Sequence, residues 1–265
     1  MNVLILAAGY ATRLYPLTLR KAKPLLEVGG KPMISWLMES LRGIKGIETI
    51  YVVTNAKFAA DFAAWAKEFE VANPAFHLKV VNDGTTSDND KLGAIGDINF
   101  VLTREELTGT DLLVVAGDNL FSDSLKEFVA EARKSAAAVA LYDVGDIEQV
   151  RKYGQVQVNA DGVITQFEEK PPKPTSSLIA IAVYFYSAEV LPLFTTYIAA
   201  GNNPDQPGRF IQWVHTRKPV KAIKISGRWF DVGSKETLAE ASEVFAAEAG
   251  PAQGKRPSSN SIKSK

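Results

Sequence analysis

The 265-residue chain has no cysteine and only two histidines, His77 and His215. Without cysteine there is no disulfide framework, no thiolate zinc site and no thiol nucleophile. Two histidines are too few for a histidine-rich metal centre. A serine triad would need one of them as its base, and the chain carries no G-x-S-x-G elbow. Charge excess is missing as well: 30 Lys+Arg balance 30 Asp+Glu. General binders of nucleic acid or of membrane surfaces carry a basic excess, so neither partner is expected. No apolar run approaches the ~18 residues of a membrane span. The short run Val3–Ala8 follows Met1-Asn2 without a basic leader, so the expected setting is cytoplasmic.

What is present is a composition of 46% hydrophobic and 23% charged residues, enough for one large domain or two small ones. Asn2–Ala7 is a short aliphatic run stopped at Gly9 and predicts a buried strand. Pro32 and Gly43 punctuate a helix over Met33–Arg42. Strands are predicted at Ile47–Thr54, Phe76–Val81, Asp111–Ala116 and Ala137–Val144. Between them lie a helix capped by Asn55, with Phe58, Phe62, Trp65 and Phe69 on one face, and a helix over Ser124–Ser135. Alternating strands and helices predict an α/β fold with a mostly parallel sheet covered on both faces.

Beyond residue 150 the pattern becomes β-rich. Gln155–Asn159 and Val163–Glu168 flank Ala160-Asp161-Gly162 as a hairpin. Strands follow at Leu178–Tyr186 and Lys221–Ser226, a short helix over Arg209–Arg217, and a closing helix over Lys235–Ala249. The tail, 251–265, is Pro/Ser/Lys-rich and aperiodic, and is expected to be disordered.

Ligands of open α/β sheets bind beyond the carboxyl ends of the strands. After the first strand comes Ala7-Ala8-Gly9-Tyr10-Ala11-Thr12-Arg13, whose small residues let backbone N–H groups approach phosphate oxygens or a base edge. It is neither a Walker loop nor a G-x-G-x-x-G fingerprint. Arg13, Arg20, Lys21 and Lys23 follow, either a polyphosphate site or a solvated basic loop. Asp118, after the fourth strand, suits a divalent cation or a turn. Asp231 suits a second ligand position or a cation partner. Glu169-Lys170 before two prolines suits a sugar phosphate, or is a surface pair.

Taken together, the blocks LAAGYATRLYPLTLRKAKPLLEVGGKPMI, VVAGDNLF, YGQVQV, FEEKP and WFDVGSKETLAEA resemble the sugar-1-phosphate nucleotidyltransferase family, in order, over roughly residues 2 to 249. The resemblance implies a Rossmann-like mixed sheet, mostly parallel, in one domain spanning 1–250. A nucleotide-binding part would cover 1–144 and a sugar-phosphate-binding part 145–250. It implies condensation of a nucleoside triphosphate with a sugar 1-phosphate, with Mg2+ as cofactor and pyrophosphate as second product. Leu6, Ala7, Ala8 and Gly9 would meet the nucleoside. Ala11, Thr12 and Arg13 would wrap the triphosphate, and Lys23 would sit at the α-phosphate. Asn82, Asp83 and Gly93 would face the base. Asp118 and Asp231 would hold the metal, and Gly154, Glu169 and Lys170 the sugar phosphate. Arg13, Lys23 and Asp118 would carry the chemistry. Relatives are monomers, dimers and tetramers, so a homo-oligomer is among the expected states.

The chain departs from the family at two places. Ala11 replaces a common glycine, a mild change where φ is negative. The block 82–98 is longer and more polar than in thymidylyl- and uridylyltransferases, with Lys91 where Gly is common. Three rival readings stand beside this one. A non-catalytic nucleotide-sugar sensor would have lost Arg, Lys or Asp from these blocks, and this chain keeps them. A cytidylyltransferase acting on a polyol or amino-alcohol phosphate shares the motifs. A metal-dependent glycosyltransferase would need an Asp-x-Asp motif better placed than Asp88-Asn89-Asp90.

Overall fold

The computed structural model describes residues 1–249, so the tail expected to be disordered lies outside the described residues. The first half contains β1 (Asn2–Leu6), β2 (Glu27–Val28), β3 (Lys31–Pro32), α1 (Met33–Ser40), β4 (Ile50–Thr54), α2 (Ala59–Ala72) and β5 (Leu78–Asn82). It continues through α3 (Ala94–Arg104), β6 (Leu112–Ala116), β7 (Asn119–Phe121), α4 (Lys126–Ala132) and β8 (Ala137–Asp143). The second half contains β9 (Gly154–Val158), β10 (Ile164–Glu169), β11 (Leu178–Tyr186), α5 (Pro192–Ala199), α6 (Pro207–Val214), β12 (Val220–Lys224), β13 (Trp229–Asp231) and α7 (Lys235–Ala249). The 3.6-residue and two-residue periods place most of these elements within a few residues. Helices α3 and α5, and the short strands β2, β3, β7 and β13, fall where the sequence reading assigns no element.

Among the described residues one nine-stranded sheet takes strands from both halves. β5, β4, β1 and β6 lie side by side and parallel. β11 then runs antiparallel to β6, and β8 returns antiparallel to β11 with β12 parallel beside it. The sheet is therefore mixed and mostly parallel, with helices on both faces.

β1 shows why this sheet is a buried one. Its side chains alternate, with Val3 and Ile5 packing under α1, α2 and α4 and Leu4 packing under α3, α5 and α6. All three are fully buried, as a strand covered on both faces requires. The helices supply matching stripes. On α2, Phe62 and Trp65 are buried and Trp65 stacks toward Phe69 at 5.4 Å. On the other face Phe210 of α6 lies flat against Phe194 of α5 at 3.8 Å and edge-on to Tyr186 of β11 at 5.5 Å.

The reversed strand β11 creates the site. Its second half pairs with β6, with Val183 opposite Val115. Its first half runs on past the carboxyl end of β6, where Ile179 and Ala180 pair instead with Gln155 and Gly154 of β9. The β9–β10 hairpin thus stands as a wall beyond the strand ends. The opposite wall is joined across the sheet: the amides of Ala94 and Ile95, opening α3, donate to the carbonyls of Asp205 (3.1 Å) and Pro204 (2.8 Å).

Phe210 locks α6 into this arrangement, and its ring has no exposed surface. Phe210→Ala is expected to cost about 3–5 kcal/mol, measured by denaturant unfolding. A loss below about 1 kcal/mol would mean that the aromatic cluster collapses to fill the space.

Candidate active site

A cavity of about 390 Å³ opens at the carboxyl ends of β1 and β6, where an open α/β sheet is expected to bind ligands. Leu6, Ala7, Gly9 and Ala11 form one side, and Gly154 and Glu169 the other, with Lys23, Asp118 and Asp231 between. Four sequence-distant segments converge there.

The first loop is held from below. Asn55 follows β4; its side-chain carbonyl accepts from the Phe58 amide at 3.2 Å, and its NH2 donates to the Ala8 carbonyl at 2.8 Å. Asn55, expected to cap the following helix, instead bonds the turn ahead of it, where Phe58 is the N-cap of α2, and anchors the loop. Ala11 has φ 47° and ψ 44°, in the left-handed region. The negative φ that would make alanine a mild replacement for glycine is not adopted here, so its Cβ is strained. The Thr18 hydroxyl donates to the Ala11 carbonyl at 2.8 Å and helps to hold that conformation. Thr12 and Arg13 begin a short 3-10 turn and are exposed beside the cavity rather than lining it.

Lys23 donates to Asp118 Oδ2 at 2.6 Å and lies 3.9 Å from Asp231 Oδ1. The two acids meet because β7 and β13 form a small antiparallel ribbon in which Asp231 pairs with Asn119. Asn119 also donates to Asp118 Oδ1 at 3.0 Å and accepts from the Trp229 indole. Burial pushes the Asp118 carboxyl up, but the charge and hydrogen bond of Lys23 and the Asn119 amide outweigh it and hold it low. Burial and the neighbouring Asp118 charge push Asp231 up, against the pull of Lys23, the Tyr153 hydroxyl and Arg13. One ammonium thus faces two carboxylates, and the pair lacks a positive charge.

Across the cavity, Glu169 sits between two glycines. A Cβ on Gly208 would overlap Glu169 Oε2, and one on Gly154 would come within 2.5 Å of the Phe167 ring. Both positions need a missing side chain for space. Burial raises the Glu169 carboxyl, against the pull of Lys170 and Arg209. Lys170 itself is exposed and does not line the cavity. Its φ is 53°, and its amide donates to the Tyr153 carbonyl at 2.9 Å.

The base-facing candidates are less direct. Asn82 ends β5, and its side chain accepts from the Gly84 amide at 2.9 Å. Asp83 is buried and bound to Thr85, away from the cavity. Gly93 precedes α3, and its neighbour Ala94 reaches the cavity. Residues with no signal in their own blocks also line the site: Lys152, Tyr153, Trp229, Gln206 and Gly208. Tyr153 and Trp229 belong to matched blocks but carry no charge pattern. Gln206 and Gly208 come from a segment whose role depends on where α6 docks.

Known proteins bear on this geometry. A profile of the nucleotidyl transferase family matches residues 2–248. The chain belongs to the nucleotidyl transferase family. It is 28% identical over 245 residues to the bifunctional protein GlmU of Methanocaldococcus jannaschii, covering 92% of this chain and 54% of that protein. The chain therefore spans about half the length of that relative. It is 29% identical over 256 residues to a glucose-1-phosphate thymidylyltransferase of Mycobacterium tuberculosis, covering 92% of this chain and 81% of the relative. A UDP-glucose pyrophosphorylase solved with UDP-glucose superposes with a TM-score of 0.76 at 23% identity, over 93% of this chain and 98% of that one, and so shares the fold. Among the described residues no helix is long and apolar enough to cross a membrane.

The strain at Ala11 is directly testable. Ala11→Gly is expected to raise stability by about 0.5–1 kcal/mol, the left-handed penalty less the extra chain entropy of glycine. A thermal melt that moves downward instead would show that the Ala11 methyl makes a compensating contact.

Proposed function

We propose that the protein transfers a nucleotidyl group from a nucleoside triphosphate to a sugar 1-phosphate, releasing pyrophosphate. The observation that carries this reading is Lys23 placed between Asp118 and Asp231, with Glu169 facing them across one cavity. The GlmU and thymidylyltransferase relatives support it by name.

An acceptor phosphate oxygen attacks the α-phosphorus, the new P–O bond forms, and the bond to the β-phosphate oxygen breaks. The acceptor phosphate is already anionic near neutral pH, so no general base is required. That agrees with a cavity whose lining, among the described residues, includes neither histidine. Catalysis then rests on positioning and charge neutralisation. Lys23 neutralises the α-phosphate. Thr12 and Arg13, exposed beside the cavity, meet the outer phosphates. The backbone of Leu6–Gly9 supports the nucleoside, with Asn82 and Gly93 on the base side. Gly154 and Glu169 position the acceptor, and Lys170 meets its phosphate.

Asp118 and Asp231 fit a divalent cation. They offer hard oxygen donors side by side, and Lys23 alone leaves them one charge short. When bound, Mg2+ supplies positive charge to the triphosphate oxygens. A cytoplasmic setting suits a reaction that consumes nucleoside triphosphates.

The test is pyrophosphate release with magnesium, using a grid of nucleoside triphosphates against sugar, polyol and amino-alcohol phosphates. One productive pair is expected, with Asp118→Asn slower by at least ~100-fold, the scale of one main electrostatic stabiliser. A near-normal rate in that variant would remove Asp118 from the site. Lys170→Ala is expected to raise KM for the acceptor phosphate while KM for the triphosphate holds. The opposite pattern would move Lys170 to the triphosphate side.

A further inference from the structure

A buried polar cluster lies beside the first loop, and the proposed reaction does not use it. Asp83 directly follows β5, and Asp97 stands in the first turn of α3. Their exposures are 9% and 6%. Asp83 Oδ1 accepts from the Thr85 amide at 2.7 Å and from the Thr85 hydroxyl at 2.8 Å. Asp83 Oδ2 and Asp97 Oδ1 are buried and have no donor among the described residues. The two carboxyls nevertheless lie within hydrogen-bonding reach of each other.

Two ionised carboxylates in contact and out of water would repel, and each would lack a donor. One proton removes both costs, because it turns an acceptor–acceptor contact into an O–H···O bond. Burial, followed by the charge and hydrogen bond of Asp83, pushes the Asp97 carboxyl up to about 8. The bond continues outward. The Thr85 hydroxyl spends its hydrogen on Asp83, so at 3.3 Å the Tyr10 hydroxyl donates to it. The Thr85 carbonyl accepts from the Ala56 amide at 2.9 Å, and the neighbouring Asn55 holds Ala8. A continuous chain therefore runs from Asp97 through Asp83 and Thr85 to Tyr10, the residue after Gly9.

We propose that Asp97 is a positioning residue: it donates a carboxyl proton to Asp83, and this bond, through Thr85 and Tyr10, holds the loop Ala7–Thr12 in the shape that receives a nucleotide. The effect on catalysis rests on the reading of that loop as the nucleotide site; the proton-sharing bond does not. Other charged groups sit at the margins. Asp88 and Asp90 face Tyr10 from the loop before α3. Lys91 bridges Asp88 and Asp205 at 3.4 and 3.5 Å near the start of α3. Arg104, at the far end of α3, donates to the Asn82 carbonyl at 3.0 Å. From α5 the contact to α3 is neutral, Thr195 to Asn99 at 2.8 Å. On α6 the guanidinium of Arg209 is bonded to Gln206. Deprotonation of Asp97 breaks the bond and adds a repelling charge, so the loop loosens as pH rises.

The experiment compares wild type with Asp97→Asn, whose amide donates in place of the carboxyl and does not titrate. Across the titration near pH 8, wild-type KM for the triphosphate is expected to rise about ten-fold, the scale of one buried hydrogen bond, with kcat changing less. Asp97→Asn keeps the low KM at neutral pH and loses the rise. An equal rise in both proteins overturns the proposal. Hydrogen exchange of residues 7–12 and 83–93, compared between the two proteins at the same pH, reads the bond without activity. Protection is expected to match at neutral pH and to fall in wild type alone above the titration; equal protection throughout overturns the proposal. If no pyrophosphate forms with any pair, the proposed reaction fails and the exchange comparison decides. If Asp97→Asn does not fold, Asp83→Asn keeps an acceptor for Thr85 and removes the charge facing Asp97. The wild-type loss of protection must then move to lower pH, and an unmoved step overturns the proposal.

Discussion

Two carboxylates share one lysine at the carboxyl edge of the sheet, and much of the site exists to keep them there. Asp118 follows β6 and Asp231 ends β13, so the chain must bring together positions more than a hundred residues apart. The β7–β13 ribbon does this with three residues on each side. Burying charge is costly unless it is paired and hydrogen-bonded. Here Lys23 pairs both acids, Asn119 bonds one and Tyr153 the other. The remaining imbalance leaves two carboxylates facing one ammonium.

The second constraint is room. A cavity between packed walls requires small residues where the walls approach, and the chain supplies them at Gly154 and Gly208 around Glu169. These glycines are tied to fold as much as to function. α6 carries Gly208 to the wall only because Phe210, two residues later, is seated among Phe194, Tyr186 and Tyr197. A packing defect on that face would therefore reach the Glu169 wall of the cavity without touching any polar group.

Much of this was legible from residue order. β1 and its glycine loop stood out because an aliphatic run stopped by small residues marks a buried strand meeting a tight loop. The ribbon that joins Asp118 to Asp231 did not, since a three-residue strand has no measurable period. Helix α3 was hidden inside a polar block, although Ile95, Ile98, Val101 and Leu102 mark one face of it. Gly96 and Asp97 in its first turn weaken the helical signal. Asp83, expected to face the base, is instead buried and bound to Thr85 beside the carboxyl end of β4, a placement that only the tertiary neighbours decide. Ala11 shows the limit of residue type alone: the loop asks for glycine geometry and holds an alanine in it.

The seam between α3 and the 204–205 segment has a consequence for how anions are met. A helix start ordinarily presents free amides and a partial positive charge, a ready cradle for phosphate. In this molecule Ala94 and Ile95 have already given their hydrogens to Asp205 and Pro204. Those two amides of the α3 start are thus spent inside the protein and offer no hydrogens to an anion in the cavity.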